Sequence, residues 1–315
     1  MENETLPEVS TLHKRSLRLM GNTFSFSIVA GDETFATESL DAAVSEIRRI
    51  ERLLTTFDSD SQTNRVNARA GVGPVQVDAE VFALIKRSIN ISNLTQGAFD
   101  LTYGSIDKSL WNFDVNMTTL PDPALAKEAV RLINYRNILL DEKECTVFLK
   151  HRGMRIGFGG IGKGYAADRA RDVLKARGIS GGIVNAAGDL TTWGRQPSGN
   201  AWTIGIADPH TKSPFSYLDL TDLSMATSGD YEKFVTIGGK RYSHTISPKT
   251  GMPVSGIRSV TIISPIAELS DAMTTPVMVM GVQTGLHMIN QMNQIACILV
   301  DDDNQIHTSS NISIH

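Results

Sequence analysis

Asp271 and Thr275 stand four residues apart in "SDAMTTPVMVM". On a helix that spacing puts them on one face, a turn apart. Two oxygen donors so placed suit a hard cation such as Mg2+. A capping aspartate with a threonine bonding back to its own helix fits the same spacing. A second group is "GFGGIGKGYAADRARDVLKARG", residues 157–178, where Lys163 stands among glycines before a helical pattern. Glycines there let backbone approach a ligand, and the unpaired amides and dipole of a helix start favour an anion, usually a phosphate. A glycine-rich turn with a solvated lysine is the plainer alternative, and the segment matches neither the Walker form nor GxGxxG with an acidic partner. His244 sits between strand residues and a Pro-Lys-Thr-Gly turn, flanked by small polar residues. It is either a proton acceptor or a structural histidine. Asp100 follows "GAF", while Met20, Phe57 and Tyr242 lie near glycines or polar loops and could face a flat ring or belong to the core.

The elements that must hold these residues follow from periodicity. "FSFSIVAG" alternates as a strand, and Ser39 caps a helix whose Ala43, Ile47, Ile50 and Leu54 share a face. A loop, "TFDSDSQTNRVNARAG", follows it. Asp78 caps a second helix with Val81, Leu84, Ile85, Ser88 and Ile91 inward; Asp122 and Pro123 start a third, with Leu125, Ala129 and Leu132 inward. Strands are expected at 137–141 and 145–149. Ala166, Ala170, Val173 and Leu174 form the apolar stripe of a helix that ends at Arg177-Gly178. Residues 201–263 are strand-rich, and the Gly-Gly in "FVTIGGKRYSHTI" marks a hairpin. A helix from about Pro265 to Met280 turns Leu269, Met273 and Val277 inward, and Pro276 should bend or break it near Thr275. The chain closes on a strand, a turn and a return strand in "ACILVDDDNQIHTSS".

Composition bounds the partners. A chain of 315 residues with 41% hydrophobic and 20% charged residues can bury a large core. A net charge of -4 with no basic run argues against nucleic acid. Cys145 and Cys297 are unclustered, so neither a disulfide framework nor a thiolate site is suggested. Residues 1–16 read as a flexible lead-in to one domain over 17–315. The sequence has neither a transmembrane segment nor a signal peptide or lipobox, so as it stands it reads as cytoplasmic; a chain trimmed of its leader would look the same.

Taken in order, the segments resemble the ApbE family, the FAD:protein FMN transferases. The matching stretches are "LMGNTFSF", "TFDSDSQTNRVN", "GAFDLTYGSI" with "LWNF", "GGIGKGYAADRARDVL", "IVNAAGDL", "SGDYEKF", "GKRYSHTISPKTGMPV" and "SVTIISPIAELSDAMTTPVMVMG", running from Met20 to Gly281. The resemblance implies an α+β, T-fold-related architecture with two mixed sheet–helix halves packed around a central FAD cleft. It implies cofactor contacts from Met20, Phe57, Ala98, Phe99, Asp100, Lys163 and Ile246, and Mg2+ ligands from the Gly160 carbonyl, Asp271 and Thr275. His244 matches the histidine proposed as base. "NAAGD" and "TSGD" resemble the small-residue turns that wall the nucleotide pocket.

The implied reaction moves FMN from FAD to a Thr or Ser hydroxyl of an acceptor flavoprotein, with Mg2+ bound and AMP released. Its rivals are an FAD pyrophosphatase and an FAD-binding protein weakened in catalysis. The family is often exported or lipid-anchored, so a trimmed chain would be periplasmic or membrane-anchored. Three positions depart from the family pattern: Gly157 and Ser247 stand where aspartates are usual, and Asn22 where a threonine is. Pro276 is expected to hold Thr275 in extended backbone.

Overall fold

The computed structural model describes residues 10–107, 109–111, 117–207, 214–229 and 234–312. The expected contacts in "LWNF" beyond Trp111 and in "DYEK" (230–233) lie outside the described residues.

Strands β1 (Thr11–Leu19) and β2 (Asn22–Ala30) form an antiparallel hairpin whose turn, Met20-Gly21, has positive φ at both residues. β1 thus occupies part of the expected lead-in: Thr11–Ser16 are paired with Ser25–Ala30. Helix α1 (Glu33–Leu54) begins before Ser39, because Asp32 supplies the cap by accepting from the Phe35 amide. Ser39 is instead buried inside α1, where its hydroxyl accepts from Arg177 Nε. A short helix α2 (Gln62–Ala68) occupies part of the expected loop, capped by Ser61. Strand β3 (Val75–Gln76) leads to α3 (Ala79–Leu94), whose expected inward face is buried.

Helix α4 (Pro123–Ala129) starts at the expected Asp122 cap but buries Ala126, leaving Leu125 57% exposed. It ends before Leu132, and seven residues are too few to develop the longer stripe. β4 (Ile138–Asp141) and β5 (Thr146–Leu149) complete a small sheet of order β3-β5-β4.

The larger half follows. Helix α5 (Gly162–Ala176) leads into β6 (Gly181–Ala186), β7 (Asp189–Trp193), β8 (Trp202–Ala207), β9 (Pro214–Leu220) and β10 (Ser224–Gly229). The Gly238-Gly239 turn joins β11 (Phe234–Ile237) to β12 (Lys240–Ser243) as expected, both glycines at positive φ. Then come β13 (Ile257–Ser264), α6 (Ala267–Met280), α7 (Val282–Asn290), β14 (Ala296–Asp301) and β15 (Ile306–Thr308).

Eight strands, in the order β1-β2-β6-β7-β10-β13-β14-β15, make one antiparallel sheet, while β8 and β9 pair separately. The protein is α+β. Phe24, Phe26 and Ile28 of β2 and Val184 and Ala186 of β6 point to the helices, and Ile47, Ile50, Ala166, Ala170, Met273 and Val277 answer from α1, α5 and α6. The same cluster continues through Leu84, Phe99, Leu101, Val147 and Leu149, so both halves share one core. Leu190, Met225, Ile263 and Ile298 on the opposite face pack with Ile206 and Leu220 of β8 and β9.

Pro276 does not break α6. The helix runs through it, and Thr275 is helical rather than extended. Proline removes one amide, which frees the Ala272 carbonyl at a cost of about 3 kcal/mol. Burial of Met273, Val277 and Met278, each worth roughly 1.5–3 kcal/mol, offsets that cost.

Candidate active site

The glycine-rich turn feeds α5 with Ile161 in the cap position, a side chain that cannot accept a bond from the helix amides. Asp271 supplies the acceptor from α6: its Oδ2 lies 3.0 Å from the Gly164 amide. The carboxyl is 4% exposed. Burial pushes its pKa up, opposed by the nearby Lys163 charge and by the amides of Gly164 and Lys163. Lys163 donates to Asp189, the buried acid at the end of "NAAGD".

The approach of α5 to α6 requires glycine at 164. A Cβ there would lie 2.2 Å from the Ala267 carbonyl oxygen and 2.8 Å from Asp271 Cβ. Gly164→Ala should therefore destabilise the fold by about 3 kcal/mol or more, measured as a lower midpoint in denaturant melts; an unchanged midpoint would show that the helices separate freely.

The other expected residues gather around this turn unevenly. A Cβ on Gly160 would stand 3.6 Å from Phe99 Cε2, one on Gly162 3.8 Å from Met20 Cε, and one on Gly157 3.9 Å from Thr56 Cγ2. Met20, Phe99, Gly160, Lys163 and Asp271 thus form one neighbourhood. Phe57, next to Thr56, is 99% exposed and so is no core residue. The absence of a carboxylate at Gly157 answers no packing demand, since the space beside it is open except for the Thr56 methyl.

Asp100 is buried and commits both oxygens locally. Oδ1 accepts from the Thr102 amide (2.8 Å) and hydroxyl (2.6 Å), and Oδ2 accepts from the Tyr135 amide (2.9 Å). Burial raises its pKa despite those bonds. It fixes the loop that carries the buried Ala98 and Phe99.

His244 is half-buried on a strap between β12 and the Ile246–Pro253 bridge. Trp111 Nε1 donates to the Ser243 carbonyl (3.1 Å), and the Ile246 amide donates to the Tyr103 hydroxyl (3.1 Å). Ile246 itself is buried against Trp111 and Val235, and Tyr242 packs at the edge of that cluster. The strap also meets α6, because the Ser243 and Thr245 hydroxyls lie 3.9 and 3.7 Å from Met278 Sδ. Ser247 serves its turn by accepting from the Lys249 amide (3.3 Å), and Asn22 Nδ2 donates to the Met20 carbonyl (3.0 Å).

Thr274 is buried, donating to the Asp271 carbonyl (2.9 Å) and bonded to Ser228 of β10 (2.8 Å). Thr275 is half-exposed, and among the described residues its hydroxyl has no hydrogen-bond partner. Among the described residues no three His, Cys, Asp or Glu side chains cluster as a metal site, so a cation here would draw on hydroxyl and carbonyl oxygens besides Asp271.

Sequence reasoning singled out neither Tyr103 nor Asp168, and it reached Asp189 and Ser228 only as members of the "NAAGD" and "TSGD" turns. Asp168 is 5% exposed; its side chain accepts from the Glu268 amide (2.8 Å) and pairs with Arg171 (2.9 Å). Burial pushes its pKa from 3.8 up to about 6, against the Arg171 charge and the Glu268 and Ala267 amides, with the Glu268 charge adding to the rise. The folded state therefore holds this proton more tightly than the unfolded chain. Its contribution to stability falls as pH rises from about 4 to about 6 and is flat above. Asp168→Asn should remove roughly 2 kcal/mol of that pH dependence between about pH 4.5 and 7.5, read from denaturant midpoints of both proteins; parallel curves would contradict it.

A cavity of about 510 Å³ lies elsewhere, on the other face of the large sheet, lined by Ser25, Ser27, Asn185, Thr203 and Thr227 among others. No charged side chain lines it, but Asn185, Ala187 and Gly188 of "NAAGD" and Thr227 of "TSGD" do. Among the described residues no helix is long and apolar enough to cross a membrane.

An antiparallel sheet backed by helices, with a glycine turn, a lysine and a buried carboxylate meeting at one helix start, defines an α+β protein. The chain belongs to the ApbE family, whose model matches residues 20–299. It is 32% identical over 302 residues to an FAD:protein FMN transferase of Klebsiella pneumoniae (strain 342), covering 95% of this chain and 92% of that protein. It is 29% identical over 290 residues to one of Treponema pallidum (strain Nichols), covering 87% and 80%. Among solved structures, the ApbE protein of Thermotoga maritima superposes with a TM-score of 0.85 at 30% identity, covering 95% of this chain and 97% of that one. The apo flavinyl transferase ApbE of Pseudomonas stutzeri gives 0.81 at 27%, covering 96% and 95%.

Proposed function

We propose that this chain transfers FMN from FAD to a Thr or Ser hydroxyl of an acceptor flavoprotein. The observation that carries the reading is the meeting of Lys163 and Asp271 at the start of α5, in a chain related throughout to FAD:protein FMN transferases. Lys163 would face the pyrophosphate, with the amides of the turn behind it. Met20, Phe57 and Phe99 would border the flavin; Ala98 and Ile246, both buried, and Asp100, through its loop, would shape that wall.

Mg2+ fits the donors present, all of them hard oxygens: the Asp271 carboxylate, the Thr275 hydroxyl and the Gly160 carbonyl. When bound, it would neutralise pyrophosphate charge and polarise the attacked phosphorus. His244 takes the proton of the acceptor hydroxyl. The hydroxyl oxygen forms a bond to the FMN-side phosphorus, the pyrophosphate P–O bond breaks, and AMP leaves with its electron pair.

The test is mass spectrometry of an acceptor flavoprotein after incubation with this protein, FAD and Mg2+, with released AMP assayed alongside. A mass gain of FMN less water is expected. AMP alone, repeated over several acceptors, would favour FAD hydrolysis, and FAD binding with neither product would favour a binding protein.

A further inference from the structure

Helices α5 and α6 have the same defect. Each begins behind an isoleucine, Ile161 or Ile266, that offers no side-chain acceptor to the first amides. Each is served by a carboxylate of the other helix. Asp168 of α5 accepts from the Glu268 amide of α6 (2.8 Å), and Asp271 of α6 accepts from the Gly164 amide of α5 (3.0 Å). The two bonds run in opposite directions across one contact, and the missing Cβ of Gly164 brings the backbones close enough to form them. Two such bonds fix both the rotation and the sliding of α6 on α5, whereas one alone would leave a pivot.

We infer that Asp168 is a positioning residue for the active site: by capping α6 from α5 it sets where Asp271 stands against the Gly160–Gly164 turn. Asp168 is itself anchored to the sheet. Arg171, its ion-pair partner, donates to the Thr191 hydroxyl of β7 (3.0 Å), which is bonded to Ser224 of β10 (3.0 Å). The clasp therefore refers α6 to the rigid sheet as well as to α5. Asp168 acts only through Asp271, so its loss should appear in how well the cation is held. The metal part of the inference rests on the transferase reading; the helix part does not.

The experiment compares the full-length protein with Asp168→Ala and Asp168→Asn. Amide hydrogen exchange is followed without metal, and flavin fluorescence gives the Mg2+ concentration that half-saturates FAD binding. Asp168→Ala should speed exchange at Glu268, which it touches, and about tenfold at Gly164, on the other side of the clasp. It should raise the half-saturating Mg2+ about tenfold. Asparagine keeps an acceptor oxygen and should hold both values within about twofold of the parent.

A lower melting temperature with unchanged Gly164 exchange and unchanged Mg2+ half-saturation would reduce Asp168 to an ordinary cap and overturn the inference. If the parent's FAD binding ignores Mg2+, the metal reading fails, and the Gly164 exchange still decides whether the clasp exists. Should the alanine variant not fold, Asp168→Ser, whose hydroxyl is too short to reach α6 in place, takes its part.

Discussion

Asp271→Asn lowers flavin transfer to an acceptor protein by about 10³-fold, close to 4 kcal/mol of transition-state stabilisation, and leaves the protein folded. The expectation rests on what each atom of this side chain does. One oxygen is committed to the Gly164 amide, and an asparagine carbonyl can keep that bond. What asparagine cannot keep is the negative charge beside Lys163, buried where water does not screen it. Asp271→Ala loses both. It orphans the Gly164 amide, which costs about 1–3 kcal/mol of stability on top of the same loss of rate. Rates over a Mg2+ series, with denaturant midpoints for both variants, separate the two effects. An unchanged metal response in the asparagine variant would refute Asp271 as ligand.

His244→Ala should cost about 10²–10⁴ in transfer rate with FAD affinity within a few-fold of the parent. The histidine's neighbours are held without its ring: Ser243 by Trp111, Ile246 by Tyr103, and Thr245 by the Ser243 hydroxyl. Removing the imidazole leaves the strap in place, so a loss of rate would report proton transfer and not collapse of the site. Transfer at the parent rate would remove His244 from the mechanism. Loss of FAD binding in step with rate would make it a binding residue instead.

Much of this frame was legible in the sequence, because its signals are local. The stripe of α5, the Asp122-Pro123 start of α4 and the Gly-Gly turn between β11 and β12 each depend on residues within a turn of one another. Errors arose where two local signals competed. Asp32 and Ser39 are both plausible caps for α1, and only the packing of Ala36 and Leu40 extends the helix back to the first. Pro276 is a helix breaker by its own chemistry, yet it sits inside α6 because the residues around it are buried.

The sequence offered candidate residues but not the bonds between them. Lys163 finds Asp189 at a separation of 26 residues, Gly164 finds Asp271 at 107, and Asp168 finds Glu268 at 100. No spacing rule spans such intervals. Phe57 looked like a core or ring-facing aromatic in sequence, and only the fold shows it wholly in solvent.

The shared core has a mechanical consequence. Phe99 and Leu101 from one half and Ile161 and Tyr165 from the other belong to the same buried cluster. Proteins that close on a ligand like a jaw need a thin, breakable seam between their moving parts. Here the seam is part of one continuous buried core, so swinging the two halves apart would expose it. A ligand gap between the halves would therefore be cut to size once, as the chain folds, and on the proposed reading adjustment afterwards would fall to exposed side chains such as Phe57.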